Sequence, residues 1–390
     1  MSGIWQGRGI PLAWLLLTRQ PQRLAIAVAG IVFASTLIFM QLGFQDALFE
    51  SSVTIHKRLD TDLVLASPKS MSSSGMVGFP RRRLVQTMAD PAVAGTTPVH
   101  WKMILWLNPD NRTNTRSIYA LGIDPSDSLF QNTNIIKQSQ LLSQIGRVIF
   151  DEKSRPEFGP IAQLFRQGRT VETELAGKRV RVVGLVSLGP SFGADGNMII
   201  SSETFEWLMP DTPKGSIELG LVRLVPGSDP LEVAERLRQF LPRDVVVYTK
   251  QGFEEFEKNY WSSGTAIGFI FTLGSSMGFV VGCVIVYQIL HSDVSDHLSE
   301  YATLMAMGYR LVDLLGVVAR EALLLALLGF PPAFFAGIGL YGLVRSATGL
   351  PASMDSHRAL LVFGLILAMC MGSGILAMRR LGDADPAEIF

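Results

Sequence analysis

Cysteine is almost missing from this 390-residue chain: Cys283 and Cys370 are the only two, and both lie in apolar runs. That excludes a disulfide framework and paired-cysteine zinc sites, and leaves both as small buried hydrophobes. Charge is also scarce. Only 17% of residues are charged against 48% hydrophobic, the mean hydropathy is +0.30, and the formal net charge is zero. A neutral balance supplies no basic face, so nucleic acid is not an expected partner. The signatures of common catalytic sites are missing too. There is no G-x-x-x-x-G-K-[ST] phosphate loop, and Gly177-Lys178 precedes a strand pattern in the wrong context. There is no H-E-x-x-H, and no serine sits in a strand-to-helix nucleophile elbow. The five histidines, His56, His100, His291, His297 and His357, are scattered except for one pair. A catalytic reading finds no residues to carry it, and no cofactor is expected in this chain.

What the chain has instead is four long apolar runs flanking a charge-rich middle. Residues 46–262 hold 25 Lys/Arg and 25 Asp/Glu, which leaves nine of each for the other 173 residues. The first run, 24–45, includes 21 uncharged residues, enough for a helix to cross a hydrocarbon core of about 30 Å. It is too long for a signal peptide and no small-x-small site precedes Gln45, so it reads as an uncleaved anchor. The second run, 263–290, exceeds a perpendicular crossing and predicts tilt or protrusion. The third, 322–344, follows Arg320-Glu321 and contains Pro331-Pro332, which predicts a kink. The fourth, 359–378, is stopped by Arg379 and Arg380. Residues 1–23, with Trp5, Trp14, Arg8, Arg19 and Arg23, suit an amphipathic helix on the cytoplasmic surface. Residues 345–358 form a short outer loop and 379–390 a cytoplasmic tail. Of the nine basic residues outside the middle region, only Arg345 and Arg358 then fall outside, in keeping with the positive-inside rule. Both termini are expected in the cytoplasm, with the large domain on the far side of the inner membrane.

The middle region reads as α+β, in two lobes. Strand patterns occur at 62–66, 101–107, 117–123, 147–151, 178–188, 198–201, 219–225 and 245–249, and helix patterns at 202–208 and 229–241. The stretch Gly252–Trp261 is charged and aromatic and reads as the extramembrane start of the second spanning helix. Ser67–Gly78 reads as a flexible loop, and Arg81–Arg83 as a solvated basic run.

The functional weight falls on the segment after the second span. Residues 291–310 form a cytoplasmic segment in which Leu290, Val294, Leu298, Tyr301 and Met305 follow a helical stripe. Asp293, Asp296, His297 and Glu300 share the other face. His291, Asp293, Asp296 and His297 could be drawn as metal ligands, but a solvated acidic face explains all of them, so no metal is expected. The segment ends in a turn at Gly308-Tyr309-Arg310 and is expected to dock a protein partner. In the second run, Gly274, Gly278 and Gly282 recur every four residues and Gly264 and Gly268 repeat that spacing before them, which permits close helix approach, either within the chain or at a dimer seam. No Asp, Glu, Lys, Arg or His lies in the middle of any run. An ion or proton relay needs such residues, so force rather than ions is expected to cross the bilayer.

One apolar run, a domain of some two hundred residues and three further runs resemble the MacB/FtsX-like permease superfamily of ABC systems, over essentially the whole chain. The stretches PLAWLLLTRQPQRLAIAVAGI, FMQLGFQDALFESS, LVLASP, KSRPEFGP, YQILHSDVSDHLSEYATLMAMGY and DPAEIF are closer still to its DevC-type members. The resemblance implies four transmembrane helices, with a periplasmic α+β domain (a porter lobe and an inserted second lobe) between the first and second. It implies a homodimeric, non-catalytic subunit served by a separate ATPase that binds ATP and Mg, a periplasmic membrane-fusion adaptor and, indirectly, a TolC-like outer-membrane channel. Work would pass by mechanotransmission, with cargo taken from the periplasm or outer leaflet; DevC-type members are associated with glycolipid export. By the same resemblance, His291, Asp293, Asp296, His297, Glu300, Tyr301 and Gly308 fall in the ATPase-coupling connection. FtsX-type members, which signal across the membrane without transporting, are the alternative.

Overall fold

A computed structural model describes residues 14, 18–19, 21–111, 113–127, 129–130, 138–296, 303 and 307–383. In chain order the helices of five or more residues are α1 (Pro21–Ser52), α2 (Thr54–Arg58), α3 (Arg82–Gln86), α4 (Ile161–Arg166), α5 (Ser202–Leu208), α6 (Pro230–Phe240), α7 (Lys250–Ser263), α8 (Ala266–Asp296), α9 (Leu311–Thr348) and α10 (Ser356–Asp383). The chain divides into two compact units, Met1–Ala47 with Ala266–Phe390, and Leu48–Thr265.

In the first unit, α1, α8, α9 and α10 are each long and apolar enough to cross a membrane. Ala27, Ile31 and Ile38 of α1, Val286 and Leu290 of α8, Val318 and Leu325 of α9, and Val362 and Ile366 of α10 share one core. Large apolar side chains such as Phe269, Met277, Phe335 and Leu360 remain exposed, as lipid-facing positions do. All four helices outrun the apolar runs that announce them, because hydropathy marks the hydrocarbon limits while capping sets helix ends. Gly349 ends α9 at φ +73°, with its N–H donated to the Arg345 carbonyl. At the start of α10 the Asp355 carboxylate accepts the His357 N–H at 3.2 Å. Helix α9 runs unbroken through Pro331-Pro332. Of residues 1–23, Trp14, Thr18, Arg19 and 21–23 are described, all helical.

The second unit is built on strands β1 (Leu63–Ala66), β2 (Phe79–Pro80), β3 (Val93–Leu107), β4 (Thr115–Ile123), β5 (Arg147–Asp151), β6 (Val171–Leu175), β7 (Lys178–Val186), β8 (Asn197–Ser201), β9 (Ser216–Ile217), β10 (Leu219–Leu224) and β11 (Val246–Thr249). The main sheet runs β11-β1-β10-β3-β4-β8-β5-β7-β6, and β6 pairs back onto β3 at Leu175↔Trp106. The 15-residue β3 therefore serves two lobes. Its first half pairs with β10 in an open sheet, while His100–Leu107 pairs with β4 in a six-stranded closed ring. The ring is filled by Ile104, Trp106, Ile118, Phe150, Val180, Val182 and their neighbours. The alternation of β7, with Val180 and Val182 inward and Arg179 and Arg181 exposed, is the period-two pattern of a strand with one buried face. In the open sheet β1 is buried on both faces: Leu63 and Leu65 pack under α6, and Val64 and Ala66 join the core beneath α2 and α7. The sheet is mixed, antiparallel except at β4–β8 and β5–β7, so the domain is α+β.

Candidate functional site

The chain passes between the two units inside α1, at Ala47–Leu48, and at Thr265–Ala266; on the domain side each passage is adjoined by a shorter helix. Helix α2 follows α1 after Val53, and α7 leads to α8 after Gly264-Thr265. Along α7, Phe253 and Glu257 are buried, four residues apart and so on one face. Phe253 belongs to the core, with its ring 4.9 Å from His56 of α2 and stacked at 6.0 Å on Phe256. Glu257 is a carboxylate with almost no solvent contact (1% exposed).

Three groups converge on it. The Ser73 N–H donates to Oε2 at 2.7 Å, the Trp261 indole N–H donates to Oε1 at 2.9 Å, and His56 Nε2 lies 4.0 Å from Oε2. His56 Nε2 is 2.6 Å from Ser73 Oγ. The Nδ1 atom has no hydrogen-bond partner among the described residues. The tautomer that leaves no buried N–H unpaired therefore carries its proton on Nε2, donated to Ser73 Oγ, and leaves Nδ1 as a bare lone pair. Burial pushes the His56 imidazole down to about 3, so it is neutral. Burial raises the Glu257 carboxyl, opposed by its bonds from Ser73 and Trp261. Burial and then the Glu257 charge raise the Tyr119 phenol. Outside this knot, Glu50 pairs with both Lys57 and Lys258. Helices α2 and α7, with the turn at Ser73–Gly75, are thus tied by one buried network and by two ion pairs that share Glu50 of α1.

The sign of the pH response follows. A buried imidazole held neutral favours folding above its unfolded value of 6.5, and that stability is lost as pH falls towards 3, because the unfolded chain takes up the proton. Glu257 acts oppositely: its contribution is full below the unfolded value of 4.5 and is lost as pH rises through the elevated folded one. His56→Leu should therefore flatten the loss of stability between about pH 7 and 5 by about 2 kcal/mol relative to wild type. Denaturant midpoints at the two pH values measure this; parallel slopes would show that His56 is not buried neutral.

In the membrane unit the glycine stripe faces the chain's own helices. A Cβ on Gly274 would meet Gln41 Cδ at 2.7 Å, one on Gly278 would meet Ile38 Cγ1 at 3.4 Å, and one on Gly282 would meet Ala34 Cβ at 2.9 Å and the Met369 sulfur. Within the protomer, these three glycines let α1 lie against α8. Gly268 is buried, and Gly264 lies in the other unit against Tyr260. The string Gly274-Ser275-Ser276-Met277-Gly278 has the spacing of a nucleophile elbow, yet it lies inside α8 with no strand-to-helix turn, and Ser276 Oγ donates to the Thr272 carbonyl. At the opposite end of α1 from Arg23, Asp46 accepts from Arg358 at 2.5 Å, and Arg358 lies over the Tyr341 ring. Sequence reasoning left Arg358 as a loop residue; it is buried. It also left Glu321 at a boundary, and Glu321 is fully buried on α9.

The 291–310 segment is described in part. Helix α8 continues through His291 to Asp296, so this stretch extends the spanning helix rather than starting a new one. Asp296 is exposed and pairs with Arg23 of α1, which ties the two helices at one end. The backbone of Asp293 is helical, and Gly308 sits in a turn at φ +95°, a conformation that glycine adopts without strain. His297, Glu300 and Tyr301 lie outside the described residues. Among the described residues no group of three His, Cys, Asp or Glu could hold a metal. Arg83 of the basic run is held by Asp244 in a bidentate pair at 2.8–3.0 Å.

Comparisons with known proteins bear on these features. Residues 24–240 match the family model described as MacB-like periplasmic core domain, and residues 262–386 match FtsX-like permease C-terminal. Among solved structures, the periplasmic region of MacB from Actinobacillus actinomycetemcomitans is 13% identical, covers 53% of this chain and 96% of its own, and has a TM-score of 0.34. The extracellular domain of the noncanonic ABC-type transporter YknZ from Gram-positive bacteria is 14% identical, covers 48% and 99%, and has a TM-score of 0.32. No curated protein matches the chain.

Proposed function

The chain belongs to the MacB/FtsX-like permease family and is a membrane permease component of ABC type; from that premise we propose that it works by mechanotransmission. In this reading a separate ATPase subunit docks on residues 291–310 of each protomer of a homodimer, and ATP-driven closure moves α8 against α1. The motion reaches the extracytoplasmic domain through α2 and α7. That domain passes periplasmic or outer-leaflet cargo, with glycolipid as one cargo class, to an adaptor and a TolC-like duct. The observation that carries the reading is the buried His56–Ser73–Glu257–Trp261 network, because it joins α2 and α7, the helices that directly follow α1 and precede α8 in the chain. The absence of Asp, Glu, Lys, Arg and His from the middle of the apolar runs supports force rather than ion flow.

The test is direct. Glu300→Ala with Tyr301→Ala should reduce co-purification with the ATPase and ATP-coupled transport on the order of tenfold, the size of a lost contact of about 1.4 kcal/mol, while leaving membrane insertion intact. Normal coupling in that variant removes the docking assignment. Capture of a cell-wall hydrolase in place of an adaptor would replace export with FtsX-type signalling.

A further inference from the structure

The membrane unit holds a groove of about 810 Å³ between α9 and α10 that the reading above does not use. Its walls are Leu327, Phe330, Phe334 and Ile338 of α9 and Ala359 and Phe363 of α10, and among the described residues its only charged lining residue is Asp355, beside Ser356 at one end. Phe330 and Phe363 meet edge to face at 5.0 Å, and Phe39 of α1 backs Phe330 and Phe334 at 6.3 Å, so the floor is packed and the groove is a built concavity.

Three observations say what fits. The first is length. Leu327 to Ile338 rises about 16 Å along the helix axis, against about 15 Å for one leaflet's hydrocarbon depth, so the groove accepts one extended chain from one leaflet. The second is polarity: the walls are hydrocarbon and aromatic, and the polar groups gather at the loop end, as an amphiphile requires. The third is charge. Asp355 brings a carboxylate to the rim and already caps α10 through the His357 N–H. Arg345 and Arg358 are not among the residues that line the groove. Arg358 donates to Asp46 and the Ser353 carbonyl, and Arg345 donates to the Ala352 carbonyl. A phosphate headgroup at the rim would meet the like charge of Asp355, whereas hydroxyls would donate to it.

We propose that this groove binds a lipid of the leaflet in which the α9–α10 loop lies, with one acyl chain between α9 and α10 and a neutral, hydroxyl-bearing headgroup on Asp355. The assignment is independent of the transport reading and holds whether the lipid is carried or resident. The full-length protein in detergent is titrated with a monoglucosyl diacylglycerol and, separately, with phosphatidylglycerol of the same acyl chains, and bound lipid is counted by native mass spectrometry. The neutral lipid should bind on the order of tenfold more tightly. Ala359→Trp, which fills the groove, should abolish that binding, while Leu376→Trp, on an exposed face elsewhere on α10, should not. Asp355→Ser keeps a helix cap and removes the charge, so it should erase the preference between the two lipids; it also serves if the tryptophan variant fails to fold. Equal binding to Ala359→Trp and wild type, or a preference for phosphatidylglycerol, overturns the proposal.

Discussion

Glu257→Leu should destabilise the extracytoplasmic unit by roughly 1–4 kcal/mol, because it leaves the buried Ser73 N–H unpaired at about 1–3 kcal/mol and takes the acceptor from the half-buried Trp261 indole N–H. The Ser73 N–H is fixed in the backbone beside a carboxylate that is 1% exposed, and cannot turn to water. Set against a usual domain stability of 5–15 kcal/mol, this is a large fraction. Glu257→Gln keeps the shape and one acceptor oxygen and should cost about half as much. The leucine variant should also raise hydrogen exchange at the α2 and α7 amides ahead of the closed ring, since those helices are what the network holds. Denaturant unfolding of the full chain and site-resolved exchange measure both effects. Equal stability of the leucine variant and wild type, or exchange raised first in the ring, would refute the role assigned to the network.

The second large effect lies in the membrane. At Gly282 an added Cβ would sit 2.9 Å from the Ala34 Cβ and against the Met369 sulfur. Met369 can turn away, but Ala34 is fixed to the α1 backbone, so a larger side chain can enter only if α1 leaves α8. Gly282→Leu should therefore cost about 3 kcal/mol or more through overpacking, and should uncouple the ATPase from the domain. Gly278→Ala is the contrast, since its Cβ would meet Ile38 at 3.4 Å, an ordinary contact. Thermal midpoints in detergent and ATP-coupled transport should separate the two variants. A Gly282→Leu protein as stable as Gly278→Ala would locate the close helix approach elsewhere.

The four spanning helices were legible because hydrocarbon demands long uncharged runs, and most strands because β-branched clusters stand between turn residues. The strand Val171–Leu175 was missed: Glu172 and Glu174 alternate with Val171, Thr173 and Leu175, and the apolar signal is too thin until the ring buries one face. The first half of β3 was missed because Gly95, Thr96, Thr97 and Pro98 read as a loop, and only pairing with β10 makes them a strand. The network at Glu257 was half visible. Phe253, Glu257 and Trp261 are spaced four apart, which puts an acid on an apolar face, but nothing in the sequence brings Ser73 and His56 to it, since both are nearly two hundred residues away. The glycine stripe was legible as a contact surface, and its partner required the fold.

The closure of the six-stranded ring has a consequence for crowding. A membrane holds its proteins in one plane at high local concentration, where open strand edges are liable to join between neighbours. Here β6 returns to β3, and Arg238 donates to the Val247 carbonyl of terminal strand β11. One end of the long sheet is thus consumed by its own beginning, and the other carries a fixed cation. Such a domain resists strand-to-strand aggregation with its neighbours, and leaves loops and helix surfaces as the places where another protein can grip it.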